Sequence, residues 1–568
     1  MMKDMNFSQA RAYLKNMPVS ISRFQIISHL RSAADMQGTE SFQRKAAEEL
    51  LEETRPENAV PEVYREYRPI VRDGIRFLFS RLSPERLFAI IANQLLMKTG
   101  SSAQERLITL AKEIPSLHKL GQIIARNRNT EPQCRKWLIQ LENGLYGTDA
   151  AVLRKEIRKE MDNYLHPYKI RADAEILSEA SVGSVMGFAW TAPHTGTTSR
   201  GVFKIIRPGV REHLTEEFRI LDDLARFFHR NREKYSLKNF KFIETFADIR
   251  DALQEEINLR GEQEHLREAA DFYKKNKNVR IPRLLPFSTE NITVMEFMEG
   301  EKITDIPMPP PVRRQCARIL FETLIWQPLF SPEENPLFHG DPHAGNIYGC
   351  RDAKGNPSVV LLDWSLCGRL SKSRRMKMVR LIIGILMENE DTISHALIQL
   401  SREAGEFRQE GRVKGIVRDI LRSREYADCR FMEKAFYFID RTAIQGIRFP
   451  KDLLLFRKSF FTIDGVLRSI DPDFSMDACV FRLMENMMLE ELPGRWMGLM
   501  MPRVDHAENY RSLLSNKDLQ LFAFQFLMEY MRRGMGSFSG LTEAYFFPAV
   551  TGILPGNINT VSLGNSAK

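Results

Sequence analysis

Apolar residues recur every three to four positions over 85–97 and again over 133–145, the spacing that lines one face of an α-helix. With strong helix formers filling the first 165 or so residues, this predicts a helical N-terminal region. The pattern changes near Pro167. A polar, Gly-containing stretch at 178–187 leads to Thr, Gly and Pro at 191–201, which predicts strands and turns. Gly201-Val202-Phe203-Lys204-Ile205-Ile206 is then a short apolar run carrying one lysine, closed by the turn residues Arg207-Pro208-Gly209. A lysine buried in such a strand requires a partner.

Helical spacing resumes from 212 to about 275 with many charges, and 279–282 and 292–297 read as strands. The Pro-rich turn 307–311 introduces another helix, 337–343 reads as a loop, and 359–362 is a buried strand ending at Asp363. From 374 to about 533 the pattern is mostly helical, without an internal repeat. The order of helices, a small sheet, a helical lobe and further helices defines an α+β chain.

Composition narrows the classes. At 568 residues, 43% hydrophobic and 27% charged, the chain can bury several cores, and length alone suggests roughly three or four domains. Lys and Arg exceed Asp and Glu by 82 to 73, a net charge of +9 spread along the chain. That surplus suits anionic lipid or nucleotide without singling out either, and nucleic-acid binding gains no motif support. The six cysteines form no CxxC pair or metal-ligand spacing, which fits a reducing cytosol. The first 20 residues lack the apolar core of a secretory signal. The best apolar runs, 519–528 and 544–554, are respectively too short and broken by Pro548 and Gly552, so no transmembrane helix is expected. The run 519–528, backed by Arg532 and Arg533, suits a core helix better than a membrane-surface one.

The strongest chemical signal is His339-Gly340-Asp341-Pro342-His343-Ala344-Gly345-Asn346, followed by the apolar strand and Asp363-Trp364-Ser365. Phosphoryl transfer needs an acid to orient the acceptor hydroxyl and oxygen ligands to hold magnesium against the phosphates. Asp341 and Asn346 have the HxDxxxxN offset, and Asp363 follows as the acid of a DFG-like triplet. Lys204 suits the lysine that clamps the α- and β-phosphates, oriented by a helix-borne glutamate, for which Glu262 is chosen. His339 and His343 are read as structural hydrogen bonders, His118 as capping or packing, and 374–377 (Arg-Arg-Met-Lys) as a solvated helix face.

Further stretches carry a family resemblance: His118-Lys119-Leu120-Gly121-Gln122, Lys204 with the RPG that follows, 256–262, and Val294-Met295-Glu296-Phe297-Met298-Glu299-Gly300. Asp464-Gly465-Val466 with Asp471-Pro472-Asp473 adds a late match. Over roughly 110–475 the chain resembles the UbiB (AarF-type) atypical kinases, linked to ubiquinone and other isoprenoid-lipid metabolism, and KxGQ is the most specific element. The resemblance implies a two-lobed protein-kinase-like fold with helical N-terminal (KxGQ-type) and helical C-terminal extensions. The expected divisions are 1–105, 106–165 (KxGQ-type), 166–300 (N-lobe), 301–400 (C-lobe) and 401–568. It implies ATP and Mg2+ as cofactors. Lys119 and Gln122 would lie over the active site, held by Glu256, in place of a peptide substrate. Nucleotide contacts fall at Ser181, Gly183, Glu296 and Met298, with Lys204 and Glu262 on the phosphates, Asp341 as the catalytic acid, and Asn346 and Asp363 on the metal. Read on one helix at about 100° per residue, Glu256 and Glu262 point in different directions and serve different lysines.

Three positions depart from the family. Glu179 stands in the nucleotide loop, where a carboxylate repels phosphate unless it points away. Asn258 replaces an acid, and Trp364-Ser365 replaces Phe-Gly. The leading expectation is an ATPase or lipid or small-molecule kinase supporting isoprenoid-quinone metabolism, cytoplasmic or peripheral at the inner face of a membrane, with an isoprenoid lipid or quinone precursor as partner. The alternatives are a phosphotransferase of the aminoglycoside or choline-kinase type, and a non-catalytic nucleotide-binding scaffold or lipid carrier.

Overall fold

The computed structural model describes residues 22–521 and 523–524, apart from 61, 99, 127–147, 181, 236–240, 352–355 and 402–409. The helix expected over 133–145 and half of the run 519–528 lie outside these residues. The chain divides into two compact units, 1–264 with 283–297 and 265–282 with 298–568.

The first unit begins with the helices α1 (Arg23–Gln37), α2 (Thr39–Thr54), α3 (Arg68–Phe79), α4 (Pro84–Leu96) and α5 (Ala103–Glu113). They bury Ile26, Leu50, Phe79, Leu87, Ile91 and Leu110 in one core. The helix carrying Lys119, α6 (Pro115–Arg126), follows, and α7 (Ala150–Leu165) leads into an antiparallel sheet of β1 (Arg171–Glu179), β2 (Gly183–Thr191), β3 (Thr198–Ile206) and β5 (Ile292–Glu296), in that order. Leu153, Ile157 and Met161 of α7 pack on Phe188, Phe203 and Val294. The Phe188 and Phe203 rings stack 4.1 Å apart, which Gly201 permits: a Cβ there would stand 2.3 Å from the Phe188 ring. Because side chains alternate along a strand, Lys204 points away from the layer that buries Phe203 and Ile205.

The stretch read as one helical run from 212 to 275 is three helices, α8 (Val210–Arg230), α9 (Phe242–Glu256) and α10 (Leu259–Tyr273). Asn258 makes the last break. Its side chain accepts the Gly261 N–H at 3.0 Å, satisfying a first-turn donor that would otherwise be orphaned. Glu256 and Glu262 therefore sit on different helices, and their separate duties come from this break rather than from rotation along one helix.

In the second unit, β4 (Val279–Arg280), β9 (Pro357–Leu361), β8 (Ile347–Arg351) and β6 (Glu301–Lys302) form a sheet in that order. The segment expected to be a loop at 337–343 begins with a short strand, β7 (Leu337–His339), paired with β10 (Cys367–Arg369). Helices complete the unit, among them α11 (Pro310–Phe321), α12 (Lys372–Leu386), α13 (Glu390–Leu400), α14 (Glu410–Leu421), α15 (Phe431–Ile444), α16 (Lys451–Ile470) and α17 (Met476–Met500). The solvated face expected at 374–377 is corrected at Arg375, which is fully buried. Its guanidinium donates to the carbonyls of Leu370 (3.1 Å), Leu329 (3.2 Å), Ser331 (2.6 Å) and Glu333. Carbonyl partners on all sides are what make such a burial tolerable.

Candidate functional site

Lys204, Glu262, Lys119 and Glu256 belong to the first unit, and Asp341, Asn346 and Asp363 to the second. The Lys204 ammonium lies 2.5 Å from Glu262 Oε1, with the glutamate side chain only 3% exposed. A lysine held this way loses its freedom to swing. Lys119 is paired with Glu256 at the end of α9. Gln122 lies on the same helix as Lys119, but its side chain falls outside the described residues.

The helix bearing Lys119 is anchored at its first turn. Glu217, fully buried on α8, accepts the Ser116 N–H at 2.8 Å and meets Arg86 at 2.5 Å. Arg86 also contacts Glu216 at 2.9 Å and donates to the Glu113 carbonyl at 3.1 Å. A carboxylate at a helix N-terminus is favoured by the exposed amide dipoles there. His118 is buried.

Ser181 of the expected nucleotide loop lies outside the described residues. Gly183 opens β2, where its carbonyl accepts the Ala180 N–H at 2.8 Å and an added Cβ would lie 3.2 Å from the Ile205 carbonyl oxygen. The misplaced-looking Glu179 accepts the Thr148 N–H at 3.1 Å. Glu296 ends β5, its backbone N–H bonded to the Arg283 carbonyl at 2.9 Å. The first unit ends at Phe297, and Met298 begins the long stretch of the second.

In the second unit, the backbone of the loop after β7 is tied at nearly every residue. The Gly340 N–H meets the Leu366 carbonyl at 2.8 Å. The Asp341 N–H donates to His339 Nδ1 at 3.1 Å, and the Asp341 carbonyl accepts from the His343 N–H at 2.8 Å and Asn346 Nδ2 at 3.2 Å. His339 is buried, bonded through Nε2 to the Leu362 carbonyl at 3.0 Å. Since Nδ1 accepts, Nε2 carries the proton and the ring is neutral. Burial holds its pKa below the usual histidine value. His343 Nδ1 accepts the Gly345 N–H at 3.0 Å. Both histidines thus have structural work.

The Leu362 N–H donates to the Asn346 carbonyl at 2.9 Å, which brings Asn346 and Asp363 to the same end of the β8–β9 pair. Asp363 is exposed and adopts a left-handed backbone with φ 56°, uncommon for a residue with a side chain and typical of functional turns. Trp364 beside it is fully buried, its ring 4.8 Å from that of His339 and 6.0 Å from that of Tyr273. His265 Nδ1 lies 3.1 Å from the Trp364 carbonyl. A carboxylate and an amide oxygen are hard donors, a set that fits magnesium. Among the described residues, no group of three or more His, Cys, Asp or Glu forms a further metal centre.

Residues 150–397 match the ABC1 atypical kinase-like domain. The chain is 21% identical over 397 residues to the probable protein kinase UbiB of Aliivibrio fischeri, covering 68% of this chain and 71% of that protein. Over residues 150–397 the chain carries the ABC1 atypical kinase-like domain, and along about two thirds of its length it is similar to UbiB proteins. It is also 24% identical over 401 residues to an uncharacterized protein of Synechocystis, spanning 66% of this chain and 62% of that protein. An uncharacterized protein of Mycobacterium tuberculosis is 23% identical over 384 residues, spanning 65% and 74%. Among the described residues, no helix of the chain is long and apolar enough to cross a membrane.

Motif reading missed two side chains beside the loop. Ser459 of α16 is buried and donates to the His339 carbonyl at 2.7 Å, and the Lys458 ammonium lies 3.3 Å from Asp341 Oδ1. Their one trace in the sequence is the polar triplet Arg457-Lys458-Ser459 inside an otherwise apolar run at 453–461.

Proposed function

We propose that this chain is an ATP-binding, magnesium-dependent ATPase or phosphotransferase acting on a lipid or small molecule, in the service of isoprenoid-quinone metabolism at the inner face of a membrane. The observation that carries the reading is the ion pair of Lys204 with the buried Glu262, a preset cation of the kind that phosphoryl transfer places on phosphates. Asp341 orients the acceptor hydroxyl or water, while Ser181, Gly183, Glu296 and Met298 contact the nucleotide. Asn346 and Asp363 hold the metal, which when bound neutralises charge on the phosphates. Catalysis on this reading is positioning and electrostatics. Lys119 with Gln122, held by Glu256, keeps a peptide out.

Two departures that favour a non-catalytic scaffold have structural duties here. Glu179 is engaged at the Thr148 N–H, and Asn258 caps α10. The test is magnesium-dependent ATP binding and hydrolysis, with and without anionic liposomes and a quinone-precursor phenol. Turnover that rises with lipid, vanishes in Asp363→Asn and changes in Lys119→Ala is expected. Neither binding nor turnover under any condition would sink the proposal and leave the scaffold standing.

A further inference from the structure

The loop backbone around Asp341 is fixed by five hydrogen bonds of its own residues, which engage the Asp341 N–H and carbonyl and not its carboxyl group. The carboxyl group itself pairs with Lys458. Its ammonium stands 3.3 Å from Oδ1, with the Asp341 side chain 16% exposed. Lys458 arrives from a helix outside the matched segment 150–397, and its helix is clamped on both sides of it. Next to it, Ser459 donates to the His339 carbonyl at 2.7 Å. One turn back, Phe456 packs edge-on against Phe338 at 5.1 Å. Arg457 pairs with Asp440 of α15 at 2.5 Å, and Asp464 with Arg430 at the N-cap of α15 at 2.6 Å. The stem of Lys458 thus starts from a fixed point, which limits where its ammonium can reach.

We infer that Lys458 is a positioning residue for phosphoryl transfer, its ammonium holding the Asp341 carboxylate in the orientation from which it receives the acceptor's proton. The inference rests on the function proposed above. Within the loop His343 Nδ1 is engaged by the Gly345 N–H, and the cation beside Asp341 Oδ1 is brought by a distant helix. An ammonium on a carboxylate works through orientation and charge together.

The test compares wild type, Lys458→Met, Lys458→Arg, Asp341→Asn and the Asp341→Asn/Lys458→Met double variant, measuring kcat for ATP turnover and the Kd for MgATP. A positioned acid or base contributes about 10²–10⁴-fold, and loss of its orientation is expected to forfeit roughly 10- to 100-fold of kcat in Lys458→Met with Kd unchanged. Lys458→Arg, which keeps a cation, should recover most of that loss. In the Asp341→Asn background, removal of Lys458 should cost nothing more, because the two act as a unit. Unchanged kcat in Lys458→Met, equal losses with and without Asp341, or a change confined to Kd would each overturn the inference while leaving the proposed function intact. A wild type that turns over no ATP would overturn both.

Discussion

Glu217 lies under the first turn of α6, the helix that presents Lys119, and its removal gives the clearest energetic test. Glu217→Ala deletes a fully buried carboxylate that accepts from both Arg86 and the Ser116 N–H. Breaking a buried pair by removing one partner costs about 3–5 kcal/mol. Arg86 keeps Glu216 at 2.9 Å, which places the loss at the lower end, about 3 kcal/mol. At roughly 2–4 °C per kcal/mol for a unit of a couple of hundred residues, the unfolding transition of the first unit should fall by about 6–12 °C. Glu217→Gln retains one acceptor but turns a donor toward a donor, so its loss should be smaller, about 1–3 kcal/mol. Differential scanning calorimetry gives the shift, and hydrogen exchange of the amides at 116–121 shows whether the helix start loosens. An alanine variant with wild-type melting and wild-type exchange in that segment would refute the anchoring role.

Other outcomes follow from the same physics. Burial, with the Arg86 charge second, pulls His213 from its ordinary value down to about 4, against the opposing pull of Glu216 and Glu212. The folded chain therefore holds it neutral while the unfolded chain takes up a proton below about 6.5. Its contribution to stability is present above that pH and is lost as pH falls toward 4; urea midpoints of His213→Gln should decline less over this window than those of wild type, and parallel curves would dismiss the idea. Trp364→Ala empties a fully buried site against His339 and Tyr273, and chemical denaturation should show a loss of about 3–5 kcal/mol; under 1 kcal/mol would mean the ring is not core.

The fold class and the kinase-like domain were legible because their signals are local. The five-residue offset from Asp341 to Asn346, the apolar strand before Asp363 and the lone lysine in β3 each fit within a few residues of chain. The break at Asn258 was available in principle, as an N-cap residue ahead of a helix, but charged residues on both sides hid it inside a continuous helical pattern. Arg375 was misread for a different reason. Its burial depends on four carbonyls, three of them from the loop at 329–333, and no spacing rule reports a cage assembled from far along the chain. Lys458 and Ser459 escaped in the same way, since only tertiary packing brings α16 to the loop. Ser181 and the side chain of Gln122 fall outside the described residues and stay as proposals.

The contact of α16 with the loop bears on how relatives of this chain can be cut and recombined. A gene fragment trimmed to the matched domain, 150–397, would preserve Lys204, Glu262, Asp341, Asn346 and Asp363. It would nonetheless strip the His339 carbonyl of its hydroxyl donor and bare the Phe338 ring that Phe456 covers. An orphaned buried carbonyl and an uncovered aromatic are a recipe for aggregation during expression. Chimeras that exchange this domain with that of a similar protein should therefore carry residues 451–470 along with the loop they support.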